Sequence, residues 1–228
     1  MWLARPDAAD VDHLTASERE RWQRFHRPVD RDRFATGSVL QRELLRAVTQ
    51  DPGADYVRAC PGCGGADHGP VAPSGAHAGR WSLSLSHSGS LVAAAVIAGP
   101  AGVGVDVEQR GAEVRGVAGL LCTARERAAD DAAADVDQAH LVRWVRKEAI
   151  LKATWLGLTV PLDDLDVSDH DEPAALRSWA AATRPRAVDA TGVSCLDLPA
   201  ADVGPGYRGA VAAISAGALQ LSVTWPER

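Results

Sequence analysis

The sequence contains few lysines, few phenylalanines and tyrosines, and few cysteines. Only two of its 24 basic residues are lysines, at 147 and 152, and the 228 residues include two Phe, two Tyr and four Cys. Four cysteines are too few for the disulfide framework of a small secreted domain. The 30 acidic residues outnumber the basic ones and give a formal net charge of -6. This charge balance excludes a protein that coats nucleic acid or anionic membranes without sequence preference.

Long hydrophobic runs are also absent. The best one, residues 91–105, is interrupted by Gly99, Pro100 and Gly102, whereas a membrane-spanning helix needs about 20 apolar residues. Residues 1–7 do not show the basic and then apolar pattern of a secretory signal. We therefore expect a cytoplasmic protein that binds neither membrane nor nucleic acid.

Hydrophobic periodicity predicts that each half of the chain contains helices followed by mainly antiparallel strands, which is an α+β fold. The predicted helices are at 16–25, 31–48, 125–130 and 136–155. The predicted strands are at 2–5, 81–85, 91–97, 103–108, 165–168, 207–215 and 219–225. Glycine, proline and histidine dominate residues 60–79, which predicts a long irregular loop there.

That loop holds Cys60 and Cys63, which resemble half of a zinc knuckle, with His68 and His77 as conceivable partners. A structural zinc ion needs four ligands, and these histidine spacings are irregular. We favour two thiols without zinc, and zinc binding stays open.

A pair of carboxylates lies on the predicted strand Gly104-Val105-Asp106-Val107-Glu108. Because successive strand side chains alternate between faces, Asp106 and Glu108 are neighbours on one face. Two adjacent carboxylates suit Mg²⁺, which takes one or two protein carboxylates plus water and substrate phosphate. The alternative is an ordinary solvated strand face.

The predicted helix 136–155 places Glu148 and Lys152 inside its apolar stripe. An i,i+4 pair of this kind contributes only about 0.2 to 0.5 kcal/mol at a surface, which is too little to explain two charged residues in an apolar stripe. We therefore expect Glu148 and Lys152 to place a third carboxylate and an ammonium beside Asp106 and Glu108. Lys147, the other lysine of the chain, lies in the same segment.

Two further segments suit phosphate groups. Ser86-His87-Ser88-Gly89 offers hydroxyls, an imidazole and a glycine in a predicted turn. The arginines at 21, 24, 27, 31 and 33 form a dense basic stretch that could hold phosphate. Asp30 and Asp32 within this stretch favour the alternative of a solvated helix face.

Together, Ser86-His87-Ser88, Gly104-Val105-Asp106-Val107-Glu108 and the segment from Trp144 to Ala153 resemble the Sfp-type 4′-phosphopantetheinyl transferases. The resemblance extends from about Arg21 to Trp225. It implies the fold of that family, with two similar halves, residues 1–103 and 104–228, related by a pseudo-twofold axis within a monomer. Coenzyme A (CoA) and Mg²⁺ would bind in the cleft between the halves.

The activity implied by the resemblance is transfer of the 4′-phosphopantetheine arm of CoA to a serine of an apo acyl, peptidyl or aryl carrier protein. Adenosine 3′,5′-bisphosphate is the other product. The family motifs assign Mg²⁺ binding to Asp106, Glu108 and Glu148, and general-base catalysis to Glu148. They assign charge neutralisation on the leaving phosphate to Lys152 and Lys147. The CoA contacts would be Arg21, Arg33, Ser86 and His87, with Asp106 also close to CoA. Glu126 matches a further acidic position of the family.

Some family positions differ here. The basic residue expected in the loop before Ser86 is not found in His68-Gly69-Pro70-Val71, Phe34 replaces a common hydroxyl residue, and Ser84 replaces an asparagine. The alternatives to a transferase are a noncatalytic module that binds CoA or a carrier, and another Mg²⁺-dependent phosphotransferase. We expect carrier docking near residues 114–121. The pathway stays open among polyketide, nonribosomal peptide, siderophore and fatty-acid assembly.

Overall fold

The structure is a computed structural model that describes residues 1–60, 63–65, 69–99, 101–111, 118–185, 188, 192–214 and 219–227. It contains two compact units. Met1–Ala101 and Leu221–Arg228 form the first unit, and Gly102–Gln220 form the second. The sequence analysis placed the division at 103/104 and assigned the C-terminal residues to the second half. In the structure, Thr224 instead exchanges backbone hydrogen bonds with Met1 and Leu3 of the first unit.

The first unit contains a three-stranded antiparallel sheet in the order β1-β5-β4. Its strands are β1 (Trp2–Ala4), β4 (Trp81–Ser88) and β5 (Leu91–Ala98), and a second antiparallel pair is formed by β2 (Tyr56–Arg58) and β3 (Val71–Pro73). A two-residue turn, Gly89-Ser90, joins β4 to β5. Gly89 has a φ of 55°, the left-handed conformation that tight hairpin turns require and that glycine adopts without steric cost.

Two helices complete the first unit, α1 (Ala16–Gln23) and α2 (Pro28–Thr49). The sequence analysis predicted both. Thr15 and Glu18 cap the beginning of α1 reciprocally, each side chain bonded to the other's backbone N–H. The long helix α2 packs on the sheet through a cluster that includes Leu40, Leu44, Val92 and Ala94.

The second unit also contains a three-stranded antiparallel sheet, in the order β6-β10-β9. Its strands are β6 (Val103–Gln109), β9 (Val193–Asp197) and β10 (Tyr207–Ile214), and β7 (Leu165–Val167) pairs with β8 (Leu176–Trp179). The helices of this unit are α3 (Ala118–Leu121), α4 (Ala124–Asp131), α5 (Val136–Ala153) and α6 (Ala200–Val203).

Helix α5 lies directly on strand β6. A Cβ atom on Gly102 would come within 1.8 Å of the Ala153 carbonyl oxygen, and one on Gly104 within 1.9 Å of the Ala149 carbonyl oxygen. Glycine at these two positions therefore permits the contact. The contact turns the strand face that carries Gly104, Asp106 and Glu108 toward α5.

The structure confirms the α+β class, and each unit has a long helix on a three-stranded antiparallel sheet. The pseudo-twofold axis stays a prediction. The strand predicted at 219–225 is wrong, because the described residues 219–227 form only one bridge, between Trp2 and Thr224. Sequence periodicity did not find the short strands β2, β3, β8 and β9. No helix among the described residues is both long and apolar enough to cross a bilayer.

Candidate active site

Strand β6 carries two of the predicted site residues on the face that meets α5. Asp106 is only 3% exposed, and Glu108, two residues further along, is partly buried. A carboxylate with so little access to water needs a compensating partner. The helix packed on this face supplies one.

Lys152 of α5 is that partner. Its Nζ atom donates a 2.7 Å hydrogen bond to Oδ1 of Asp106 and a 3.2 Å hydrogen bond to the carbonyl oxygen of Val105. Glu148 lies one helical turn earlier and is 8% exposed. Burial raises the pKa of Glu148 above its ordinary value, and Asp106 and Glu108 raise it further against the opposing effect of Lys152. The structure thus gathers the predicted third carboxylate and ammonium around the acidic strand.

The donor set fits a hard divalent cation such as Mg²⁺, which prefers carboxylate oxygens. The Oε1 atom of Glu148 is buried and has no hydrogen-bond partner among the described residues. This oxygen can therefore accept a proton or coordinate a cation. The carboxylate oxygens of Asp106, Glu108 and Glu148 are too far apart in the structure for all three to lie within 4.8 Å of one another. A cation bound here would share Asp106 with the ammonium of Lys152.

Lys147 occupies a different environment from Lys152. It is fully buried, and its Nζ atom donates hydrogen bonds to Oε2 of Glu126 (2.6 Å) and to the carbonyl oxygens of Leu121 (2.6 Å) and Leu162 (3.0 Å). Burial lowers the pKa of Lys147, and Glu126 offsets part of this effect. All three ammonium protons have acceptors within the unit, which favours a structural role for Lys147 over the expected phosphate contact.

Glu126 completes this buried network. Its Oε1 atom accepts a 2.8 Å hydrogen bond from the Val167 N–H, and its Oε2 atom accepts one from the Thr123 N–H at the beginning of α4. The acidic position singled out in the sequence therefore joins α4, α5 and β7. Among the described residues, the Glu126 carboxylate accepts hydrogen bonds from Thr123, Lys147 and Val167, which is the geometry of a structural ion pair.

The first unit has an arginine-rich cleft of about 580 Å³. Its lining includes Arg21, Arg24, Arg42, Arg58, Phe34 and Tyr56. Arg42 is bound to Glu18 at 2.6 Å, whereas Arg21 lies over the ring of Phe34 at 5.4 Å. Burial lowers the pKa of Arg58, and the nearby Arg21 guanidinium lowers it further. Like charges held this close suit an anionic ligand.

Three other predicted CoA contacts, Arg33, Ser86 and His87, lie on the same unit, outside the lining of this cleft. Ser86 is buried on β4, and His87 beside it is exposed. Arg33 donates a 2.8 Å hydrogen bond from Nε to the carbonyl oxygen of Gly89, in the turn just after β4. Arg33 therefore contacts the turn that follows the Ser86-His87 segment.

The sequence analysis missed Arg58, which is on the short strand β2. A single basic residue in the run Tyr56-Val57-Arg58 gives no periodic signal, and only the fold brings it near Arg21. The segment His68-Gly69-Pro70-Val71, which lacks the family's basic residue after glycine, is described from Gly69 onward.

The half zinc knuckle contains no disulfide, and all four cysteines of the chain are described. The N–H of Gly65 donates to Sγ of Cys63 at 3.4 Å. His77, one of the conceivable zinc partners, pairs instead with Asp51 at 2.8 Å. In the predicted docking segment, residues 114–117 lie outside the described residues, and Leu120 is 70% exposed.

Carboxylates beside a lysine, on a strand packed against a helix, define the kind of site that holds a divalent cation and a phosphate. A comparison with protein families covers the segment that carries these residues. Residues 102–211 match the family model of the 4′-phosphopantetheinyl transferase superfamily. The matched segment contains β6 and α5, and it therefore includes Asp106, Glu148 and Lys152.

No curated protein matches the chain. Among solved structures, the holo-[acyl-carrier-protein] synthase of Thermotoga maritima is similar, with 16% identity and a TM-score of 0.40. The similarity covers 50% of this chain and 62% of that protein.

Proposed function

We propose that this protein is an Sfp-type 4′-phosphopantetheinyl transferase, which moves the phosphopantetheine arm of CoA to a serine of an apo carrier protein. One observation carries the proposal. Within the segment that matches the superfamily, Lys152 is bonded to Asp106, and Glu148 is held beside them. Such a set serves phosphoryl transfer, which depends on positioning and electrostatic stabilisation.

Asp106, Glu108 and Glu148 would hold Mg²⁺. When bound, Mg²⁺ neutralises charge on the pyrophosphate of CoA. Glu148 accepts the proton of the serine hydroxyl, directly or through water, and its unpartnered Oε1 atom supports this role. The serine oxygen forms a bond to the phosphorus that carries pantetheine, and the P–O bond to adenosine 3′,5′-bisphosphate breaks. Lys152 neutralises charge on the leaving phosphate.

The first unit would bind phosphate groups of CoA. Arg21 and Arg58 favour the 3′-phosphate, because both guanidinium groups line the arginine-rich cleft and Arg21 is close enough to lower the pKa of Arg58. Phe34 and Tyr56 in the same lining offer aromatic surface for adenine. Arg33, Ser86 and His87 would contact further phosphate oxygens near the turn at Gly89.

The activity is tested by incubating the protein with CoA, Mg²⁺ and one apo peptidyl or one apo acyl carrier protein, followed by intact-mass spectrometry. We expect a mass gain of one phosphopantetheine arm that disappears with EDTA. Asp106→Asn should slow transfer by about 100-fold or more. Asp171→Asn, at an exposed aspartate of the same unit, is the matched control and should react normally.

No mass gain with several carriers, although CoA still binds by calorimetry, would instead support a noncatalytic binding module. Turnover of CoA without any carrier would support another Mg²⁺-dependent phosphotransferase. Near-normal transfer by Asp106→Asn would contradict the assignment of Asp106 as a Mg²⁺ ligand.

The arginine-rich cleft has its own test, which compares binding of CoA and of 3′-dephospho-CoA by calorimetry. Arg58→Gln should weaken CoA binding about tenfold, the loss expected for one charged hydrogen bond, and leave 3′-dephospho-CoA unchanged. Arg80→Gln, at an exposed arginine of the first unit, is the control. Equal weakening of both ligands by Arg58→Gln would place the 3′-phosphate elsewhere.

A further inference from the structure

Three side chains of metal-binding type meet in the second unit, apart from the acidic strand. Cys122 follows α3, Asp130 lies on α4, and His140 lies on α5. Their ligand atoms all lie within 4.8 Å of one another. The sequence analysis assigned a ligand role to none of them.

The separations fit one ion with nitrogen, oxygen and sulfur ligands. Sγ of Cys122 lies 3.6 Å from Oδ2 of Asp130, and Nε2 of His140 lies 3.8 Å from the same oxygen. Ligands of a tetrahedral zinc ion, at about 2.0 to 2.3 Å from the metal, are separated by about 3.5 Å. The atoms therefore need to move only a little to share a zinc ion.

Two atoms of the group are buried without a hydrogen bond. Neither Oδ1 of Asp130 nor Nδ1 of His140 has a partner among the described residues, and Asp130 is 0% exposed. Buried polar atoms are normally bonded, so each of these two side chains has a second polar atom that the described residues leave unsatisfied. Oδ2 of Asp130, the oxygen within 3.8 Å of Cys122 and His140, also accepts a 2.6 Å hydrogen bond from Nε of Arg143. A hydrogen-bonded carboxylate of this kind is typical of metal sites, where outer partners fix the orientation of the ligand.

The local charge also permits a cation. In the ion-pair network that reaches Asp130, the described residues supply four carboxylates against three cations. They are Glu126, Asp130, Asp166 and Asp169 against Arg125, Arg143 and Lys147. A cleft of about 450 Å³ lies beside the group, with Cys122, Asp131 and Asp163 in its lining.

We propose that Cys122, Asp130 and His140 bind a zinc ion, with three protein ligands and water in the fourth position. On binding, the S–H bond of Cys122 breaks, sulfur coordinates the metal, and the proton passes to solvent. The ion links the end of α3 to α4 and α5. With water in one position, the site is of the open type rather than a closed structural zinc site, and the ion takes no part in the proposed transfer reaction.

Cobalt(II) is the probe, because a cobalt–thiolate bond gives a charge-transfer band that oxygen ligands do not give. The experiment uses the full chain carrying Cys60→Ser and Cys63→Ser, stripped with EDTA, so that the half zinc knuckle cannot contribute. We expect one equivalent of Co²⁺ to produce the band and Zn²⁺ to displace it. Cys195→Ser, which removes the other buried thiol of the unit, should keep the band, and Cys122→Ser should abolish it.

Absence of the band in the parent protein, or its survival in Cys122→Ser, would overturn the proposal. If Cys122→Ser does not fold, His140→Gln decides, with an expected loss of at least tenfold in cobalt affinity, and unchanged affinity would count against the site. Zn²⁺ should also raise the Tm of the parent protein but not of Cys122→Ser. These readouts do not involve CoA or a carrier, so they stand or fall independently of the transferase activity.

Discussion

Lys152 donates a 2.7 Å hydrogen bond to Asp106, and this contact joins helix α5 to the acidic strand β6. The Lys152 side chain is 29% exposed, so its ammonium lies within reach of a ligand. Lys147, on the same helix, is fully buried against Glu126. The two lysines of the chain therefore have different roles, one at the candidate active site and one in the core.

Substitution of each lysine by methionine should separate these roles. Lys147→Met leaves Glu126 as a buried carboxylate without its ammonium partner, and breaking such a pair costs about 3 to 5 kcal/mol. We expect denaturant unfolding to show this loss. Lys152→Met should lower transfer by about 100-fold with a smaller loss of stability, because its pair is partly exposed.

The double variant Lys147→Met/Glu126→Gln is the control for this interpretation. It removes both charges of the pair, so it should regain part of the stability lost in Lys147→Met. If Lys147→Met unfolds at the same denaturant concentration as the unmodified protein, Lys147 has no structural role. Its expected contact with phosphate would then regain support.

Glu148 should show opposite effects on stability and on metal binding. Its pKa is raised, so the folded state favours the protonated form, and stability is lost as the pH rises through that pKa. Glu148→Gln removes this cost at neutral pH. In EDTA we expect its Tm to rise by about 2 to 4 °C, the shift produced by about 1 kcal/mol in a chain of this size.

In Mg²⁺ the order of the two Tm values should reverse, so that the unmodified protein has the higher Tm. Mg²⁺ that binds the folded state raises the Tm of the unmodified protein by mass action, and Glu148→Gln should lose most of that increase along with transfer activity. Thermal unfolding in EDTA and in Mg²⁺ measures both effects. An equal Mg²⁺ response in the two proteins would show that Glu148 is not a ligand.

Gly104 should tolerate no side chain. Its Cβ would lie 1.9 Å from the Ala149 carbonyl oxygen and 2.6 Å from the Ala153 backbone nitrogen, and neither backbone atom can rotate away. Gly104→Ala should therefore cost about 3 kcal/mol or more, the upper range for overpacked cores, and should also displace Asp106 from Lys152.

Gly119 on α3 is the matched control, because a Cβ there meets nothing within 4 Å. Gly119→Ala should be neutral or stabilising by up to about 1 kcal/mol, since alanine favours helix. Denaturant unfolding compares the two variants. Equal stability of the two would mean that α5 does not require glycine on β6.

Short periodic patterns were enough to predict which side chains lie between β6 and α5. Alternation along β6 places Asp106 and Glu108 on one face, and the i,i+4 spacing places Glu148 and Lys152 on one side of α5. The structure brings Lys152 to Asp106 as these patterns require. Both patterns are local, and each element is long enough for its period to be read.

Residues whose partners are distant in sequence were harder to assign. Lys147 adjoins Glu148 along the chain, yet its partner Glu126 lies 21 residues away. The orientation of α5 about its axis determines that Lys147 packs against Glu126 and not against the acidic strand β6. Arg58 became a candidate phosphate-binding residue only because the fold brings it near Arg21, which lies on another element. Residues 219–225 have the composition of a strand, but a single bridge to Trp2 is their only strand pairing among the described residues.

Glu18 should make the stability of the protein depend on pH in the acid range. Its carboxylate accepts hydrogen bonds from Arg42 at 2.6 Å, from the Tyr56 hydroxyl at 2.7 Å and from the Thr15 N–H at 2.9 Å. Burial by itself raises the pKa of Glu18, but these partners outweigh burial and bring it below the ordinary value. Its contribution to stability is therefore present above the ordinary pKa and is lost as the pH falls through the lowered one.

Glu18→Gln should accordingly cost about 1 to 3 kcal/mol at pH 7, where the charged hydrogen bonds are intact. The difference from the unmodified protein should narrow as the pH falls from about 5 to about 3, because protonation then removes the same charge. Denaturant unfolding at both pH values measures the difference. Glu20→Gln, on the exposed side of the same helix, should show a small difference that does not change with pH. A Glu18→Gln difference of the same size at both pH values would mean that hydrogen-bonding shape, rather than the charge of Glu18, stabilises this part of the first unit.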